Sequence, residues 1–248
     1  MLVKHIYTLE SDEKISYHMS SLFQGALMEL LPGEYVDILH QSKLHPYTQH
    51  LEREDGRWYW VICALNEETE RQIQNAIKDV GEITLKKHDT KVKITGSKRI
   101  VTSDEELNNI FYQGKGSKYF TLRFLTPTAF KRQGSYLFYP DIYCVFQSLM
   151  NKHDSIYNDG LRDEDTLVEL TDHSRISQYK LRSTYFPVEG VKIPSFLGEV
   201  TIEMKGTRTM SNLADMLFHF GEYSGVGIKT AIGMGAMQLL RERERKKD

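Results

Sequence analysis

Two split β-α-β modules in tandem, an α+β fold of ferredoxin-like (RRM-like) type with a C-terminal glycine-rich loop, are predicted by three observations. Strand-period and helix-period segments alternate in the same way in each half. A Gln113-Gly114-Lys115-Gly116 break separates the halves. Paired glycines follow the last helical segment. The domains are therefore expected at residues 1–113 and 114–248. No residue-level repeat relates them, so the duplication is one of pattern.

In the first half, Leu2 to Leu9 sets Val3, His5 and Tyr7 against Leu2, Lys4 and Ile6, a strand alternation. Ile15 to Leu31 carries Leu22, Phe23, Ala26, Leu27 and Leu30 at helical spacing and is stopped by Pro32-Gly33. Arg57 to Leu65 is rich in aromatic and β-branched residues and reads as a strand. Glu67 to Val80, with Ile73, Ala76, Ile77 and Val80 on one face, is a helix ended by Gly81. Strands follow near Glu82 to Lys87 and Ile94 to Thr102.

The second half opens with a strand at Tyr119 to Leu125. A helix begins after Pro140 and runs from Asp141 to Leu149, and a shorter one spans Asp163 to Leu170. Ile176 to Val188 and Val191 to Met204 form a β pair joined at Glu189-Gly190. Met210 to Phe220, capped by Thr209 or Ser211, is the last helix, and Ala236 to Leu240 the last strand.

The composition is that of an ordinary globular chain, 40% hydrophobic and 27% charged, long enough at 248 residues for one large or two ordinary domains. A formal net charge of -2 gives no global sign of nucleic-acid binding, so any positive field must be local. The best candidate for such a field is Lys86, Lys87, Lys91, Lys93, Lys98 and Arg99, which alternate with Val92, Ile94 and Ile100, although taken alone they read as a solvated sheet face. The mixed-sign stretch Arg241 to Lys247 reads as a solvated tail. Cys63 and Cys144 each lie in an apolar run, as buried small hydrophobes of a protein kept reduced. No apolar run approaches membrane-spanning length and no secretory leader pattern precedes the first strand, so a cytoplasmic location is expected.

The segment Gly225-Val226-Gly227 to Gly233-Met234-Gly235, with Lys229 and Thr230 between, is the part that packing explains least. A phosphate loop runs from strand to helix; this one runs from helix to strand, so a dinucleotide or Walker site is excluded by context. Two readings remain: a sharp turn packed on a neighbouring sheet, or a loop whose backbone N–H groups face an anion such as an RNA phosphate.

Ser224 to Gly235 resembles the C-terminal glycine-rich signature of the CRISPR-associated repeat endoribonucleases, the sixth Cas family. Phe124-Leu125-Thr126-Pro127-Thr128-Ala129-Phe130-Lys131 with Tyr139-Pro140-Asp141 resembles the start of that family's second domain. Leu39-His40 with His45-Pro46-Tyr47-Thr48 resembles its catalytic-histidine region. The resemblance implies binding of CRISPR repeat RNA and a single, metal-independent cut that needs no cofactor. It also implies RNA contacts by Gly225, Gly227, Lys229, Thr230, Gly233, Gly235 and Lys131. A hand-over of the product to an effector complex, and homodimerisation, stay open. No membrane partner is expected.

Such cleavage uses the RNA 2′-hydroxyl as nucleophile and leaves a 2′,3′-cyclic phosphate and a 5′-hydroxyl. It needs proton transfer, for which histidine is suited, and charge stabilisation at phosphorus, for which lysine is. His40 is the expected proton-transfer residue. The family places a tyrosine late in the first helix, where this chain has Met28. The remaining roles are therefore open among Lys43, His45 and Tyr35, with Tyr47 and His50 lining the same loop. The five-residue spacing of His40, His45 and His50 fits no metal motif. The alternative functions are a non-catalytic RNA-binding module of the same fold and an interaction subunit whose glycine loop is purely structural.

Overall fold

The structure, a computed structural model, describes residues 1–86, 89–188 and 190–240. Of the features singled out in the sequence, Lys87, Glu189 and the stretch Arg241 to Lys247 lie outside the described residues. The described residues divide into two compact units, one of 1–102 with 229–233, the other of 103–228 with 234–240.

The first unit orders β1 (Leu2–Glu10), a 3-10 turn (Tyr17–Met19), α1 (Ser20–Leu30), α2 (Gly33–Gln41), β2 (Tyr47–Glu54), β3 (Arg57–Ala64), α3 (Glu67–Ile77), β4 (Glu82–Leu85) and β5 (Thr90–Thr102). The antiparallel sheet runs β2-β3-β1-β5-β4, the split β-α-β order with β4 added at the edge. Tyr7 pairs with Trp60 and His5 with Arg99 across β1. The odd residues of β1 thus face the core, where Tyr7, Leu9, Phe23, Leu27, Leu39 and Trp60 are buried together.

Two elements of this unit are absent from the sequence reading. Pro32-Gly33 breaks the helical run but does not end it, because Pro32 takes the cap position and α2 restarts behind it. Only Tyr35 and Leu39 bury along its nine residues, too few to register as a periodicity. β2 was missed because it buries the polar Thr48, Gln49 and His50 and shows no apolar alternation.

The second unit contains α4 (Asp104–Gln113), β6 (Tyr119–Thr128), the hairpin β7 (Phe130–Arg132) and β8 (Ser135–Leu137), α5 (Ile142–Tyr157), α6 (Glu164–Asp172), β9 (Ser174–Val188), β10 (Val191–Met204), α7 (Arg208–Ser224) and β11 (Met237–Leu240). Its sheet order, β11-β6-β10-β9, repeats that of the first unit. α4 starts with a capping box between Ser103 and Glu106 and packs on α7, so residues 103–113 group with the second unit and not with the first as the expected 113/114 boundary has it. α5 continues eight residues beyond the expected Leu149, and α7 is capped by Thr207, two residues before the expected Thr209.

Nor is the Gly114–Gly116 break a loose linker. Asn212 of α7 accepts from the Gly116 N–H at 2.9 Å and donates to the Phe111 and Gly114 carbonyls at 2.9 and 3.0 Å. On β5 and its neighbours part of the basic face is paired: Lys86 meets Glu29 at 2.7 Å, Lys91 meets Glu82 at 3.5 Å and Arg99 meets Glu70 at 2.9 Å. Cys63 and Cys144 are both buried, as expected of small apolar residues. Among the described residues no helix is long and apolar enough to cross a membrane.

Buried histidines give the fold a pH dependence. Burial pushes the His5 imidazole below its ordinary value of 6.5 against the opposing pull of Glu70, and does the same to His153 against Asp159. A depressed folded-state value means that the unfolded chain takes up protons more readily, so the stabilisation is complete above about pH 6.5 and is lost on acidification. The urea midpoint is expected to fall between pH 7 and pH 5. A midpoint that stays level or rises contradicts the assignment.

Candidate active site

His40 is the penultimate residue of α2. Tyr35 and Leu39, one turn apart, turn one side of this helix into the core, which leaves His40 on the solvent side. The helix closes with the Ser42 N–H donating to the Leu39 carbonyl at 3.1 Å and the Ser42 hydroxyl to Ile38 at 3.0 Å. Lys43, Leu44 and His45 follow in an exposed connection. It is anchored at its far end where Pro46 accepts from the Leu65 N–H at 2.9 Å and Tyr47 enters β2.

His45 folds back over this connection. Its ring lies 5.7 Å from that of Tyr47 and hydrogen-bonds the Leu39 backbone, next to His40. Burial lowers the affinity of His45 for a proton, and the charge of a protonated His40 lowers it further, against the Leu39 hydrogen bond. Two imidazoles near enough for the charge of one to act on the other, with His45 biased toward its neutral form, together with the exposed ammonium of Lys43, make a constellation that can accept a proton, deliver one and stabilise an anion.

The structure corrects the place of Tyr35 among the candidates, and that of Tyr47 and His50 as residues lining the loop. The Tyr35 hydroxyl points inward and shares a 2.7 Å hydrogen bond with Thr69 Oγ1, and burial raises its pKa. Tyr35→Phe is expected to cost about 1 kcal/mol of stability, the typical worth of a hydrogen bond, and to leave RNA cleavage unchanged. A large loss of cleavage would put Tyr35 back in the site. Tyr47 and His50 belong to β2 and are buried; His50 bonds Glu52 at 3.2 Å. Among the described residues no group of three or more His, Cys, Asp or Glu is placed to hold a metal ion.

The glycine segment is knitted into the protein. Gly225 ends α7 by donating to Gly221, Val226 donates to Gly235, Ile228 to Ala129 and Gly235 to Pro127, all at 2.8–3.1 Å. Gly227 donates to Ser148 Oγ at 2.8 Å and Ala236 to Thr126 Oγ1 at 3.0 Å. The expectation of backbone donors open to an anion is therefore corrected for these amides. Gly227 has φ +80 and Gly233 φ +115; a Cβ on the first would meet the Ala129 carbonyl at 2.4 Å, and on the second Ser20 Cβ at 2.2 Å. Gly225, Gly233, Gly235 and Thr230 are buried, whereas Lys229 is exposed at the turn with φ +55. Lys131 is exposed on β7, opposite Tyr136.

The sequence model of the CRISPR-associated endoribonuclease Cas6 family matches residues 122–237. A Streptococcus thermophilus protein described as CRISPR-associated endoribonuclease Cas6 is 34% identical over 237 residues, covering 95% of this chain and 97% of its own. This chain belongs to the Cas6 family of CRISPR-associated endoribonucleases. A Mycobacterium tuberculosis Cas6 is 34% identical over 218 residues, covering 87% of this chain and 69% of that one. Among solved structures, a Cas6 product complex superposes with a TM-score of 0.79 at 19% identity, over 97% of this chain and 100% of the other. Thermus thermophilus Cas6 superposes with a TM-score of 0.73 at 19% identity, over 97% and 98%. The tandem ferredoxin-like architecture is thus that of Cas6.

Against this Cas6 frame, Met28 is partly buried against the core of the first unit and carries no proton chemistry. Sequence reasoning missed the residues that hold the glycine segment. Gln49 donates to the Ser20 carbonyl at 3.0 Å and the Ala231 carbonyl at 3.3 Å while accepting from Trp60 Nε1 at 2.9 Å. Lys152, buried on α5, donates to the Ser224 and Gly225 carbonyls at 2.8 and 3.2 Å, and burial lowers its pKa to about 7. Nothing in the sequence marks either residue, since each stands between polar neighbours, Gln49 between Thr48 and His50 and Lys152 between Asn151 and His153.

Proposed function

We propose that this chain cuts CRISPR precursor RNA within the repeat, by attack of the 2′-hydroxyl on the adjacent phosphorus and without a metal ion. The observation that carries the reading is the placement of His40 at the exposed end of α2, with Lys43 and His45 in the exposed connection directly after it, in a Cas6-family chain. In the reaction the bond from O2′ to phosphorus forms and the bond from phosphorus to O5′ breaks. The 2′ proton goes to one imidazole and a proton is delivered to O5′. His45, biased toward the neutral form, takes the first proton and His40 delivers the second. Lys43 lies within the same connection to balance the charge that builds on the phosphorane oxygens. Lys229 and Lys131 contribute exposed charge to RNA binding, while the glycines of the 225–235 segment set its path.

The structural neighbours include a Cas6 product complex and a Cas6 substrate-mimic complex, and the curated relatives are described as CRISPR-associated endoribonucleases, which supports repeat RNA as the ligand here. The reading is tested with two repeat RNAs that differ only by a 2′-deoxy substitution at the scissile nucleotide. The all-ribose strand is expected to be cut and the deoxy strand to be bound and left whole. Equal cutting of both would remove the 2′-hydroxyl as nucleophile; binding of both without cutting would favour a non-catalytic RNA-binding module.

A further inference from the structure

Charge is concentrated at one place in the second unit. A cleft of about 650 Å³ is bounded by the residues before β6, the start of β9, the end of β10 and the first turn of α7. Lys115, Lys118, Arg175, Lys205 and Arg208 line it against a single carboxylate, Glu203, in a chain whose formal net charge is -2. Glu203 is almost fully buried and is held below the usual carboxylate range by the Arg175 guanidinium and then by Lys118, whose Nζ lies 3.4 Å away. That carboxylate is shared by two of the cations. Lys115, Lys205 and Arg208 are exposed and make no ion pair among the described residues, so the cleft keeps an uncompensated positive field.

The cations are held on a fixed frame. Asn212, only 4% exposed, clamps Gly114 and Gly116, and the Ser211 hydroxyl donates to the Ser117 carbonyl at 2.6 Å, so the backbone that carries Lys115 and Lys118 is held against α7. Gly116 stands so close to Arg208 that a Cβ there would lie 3.0 Å from its Cγ. Lys205 is fixed through its backbone N–H, which donates to the His173 carbonyl at 2.7 Å. Beside the cleft, Lys118 lies over the ring of Tyr119, 5.3 Å from its centre, and that ring is 46% exposed. Fixed cations next to an open aromatic face suit a polyanion that carries stacking bases.

We propose that this cleft is a phosphodiester subsite that grips a stretch of the RNA strand outside the scissile phosphate. This rests on the reading of the chain as an RNA-cleaving protein, and the test separates the two. The triple variant Lys115→Gln, Lys205→Gln, Arg208→Gln is compared with the wild type for affinity to single-stranded repeat RNA with its flanks across a salt series. Cleavage at saturating RNA is followed in parallel. Each phosphate contact on a single strand contributes about 0.7 to the slope of log affinity against log salt, so the triple variant is expected to lose about 2 from that slope. The cleavage rate at saturation is expected to be unchanged. A control variant, Lys78→Gln, Lys91→Gln, Lys93→Gln in the first unit, is expected to keep the wild-type slope.

An unchanged slope in the cleft variant, or an equal loss in the control, overturns the subsite. If the triple variant melts earlier than the wild type, Arg208→Gln alone is expected to lose about 0.7, and no loss overturns the subsite. A wild type that never cuts, with a cleft variant that still loses slope, leaves the subsite standing and removes the cleavage reading alone.

Discussion

Replacement of His40 by alanine is expected to slow RNA cleavage by about 10²- to 10⁴-fold, the usual loss on removing one general acid or base, with little change in RNA affinity. That range corresponds to about 3 to 5 kcal/mol of transition-state stabilisation. The separation of rate from affinity follows from position. His40 is exposed at the end of α2 and supports no core contact, whereas the apolar anchors of that helix are Tyr35 and Leu39, so the substitution removes an imidazole without disturbing the fold. Single-turnover cleavage and equilibrium binding on the same RNA check it. A rate within a few-fold of the wild type would take His40 out of the chemistry.

Substitution of Gly233 by valine is expected to destabilise the protein by about 2 to 5 kcal/mol, combining a left-handed backbone with overpacking. Gly233 has φ +115, and its Cβ would fall 2.2 Å from that of Ser20. Ser20 has no room to give way: it is fully buried, its hydroxyl donates to the Tyr17 carbonyl at 2.7 Å and accepts from the Leu51 N–H at 3.3 Å. Gly25 in α1, with nothing within 4 Å of a Cβ, is the contrast, and Gly25→Ala is expected to be neutral or to stabilise by about 0.5–1 kcal/mol. Urea midpoints of the two variants measure this. A Gly233→Val protein as stable as the wild type would contradict the packing assigned to the segment.

How much the sequence discloses depends on where the physical signal lies. β1, β10 and α7 announce themselves by apolar residues at the right period, and β3 by its run of aromatic and β-branched residues. β2 does not, since Gln49 and His50 are buried through hydrogen bonds to Trp60, Ser20 and Glu52 instead of through apolar contact. The signal that finds β2 is its turn: Asp55 and Gly56 both take positive φ, the two-residue type I′ hairpin that an Asp-Gly pair favours. α4 had its own signal in the Ser103–Glu106 capping box.

The candidate site was legible in part. His40 and His45 are close in sequence, so a short loop brings them together, whereas Tyr35 carries the right chemistry on the wrong side of α2. The glycines were legible as special but not in their task. Their positive φ values and close contacts depend on Ala129, Ser20 and Ser148, residues 79 to 213 positions away that no local pattern reveals.

The most direct test of the central claim is the chemistry of the cut ends. Repeat RNA incubated with the protein in excess EDTA is expected to yield an upstream fragment ending in a 2′,3′-cyclic phosphate and a downstream fragment beginning with a 5′-hydroxyl. Cutting that appears only when a divalent metal is restored, or fragments that carry a 5′-phosphate, would contradict a transesterification driven by His40 and His45.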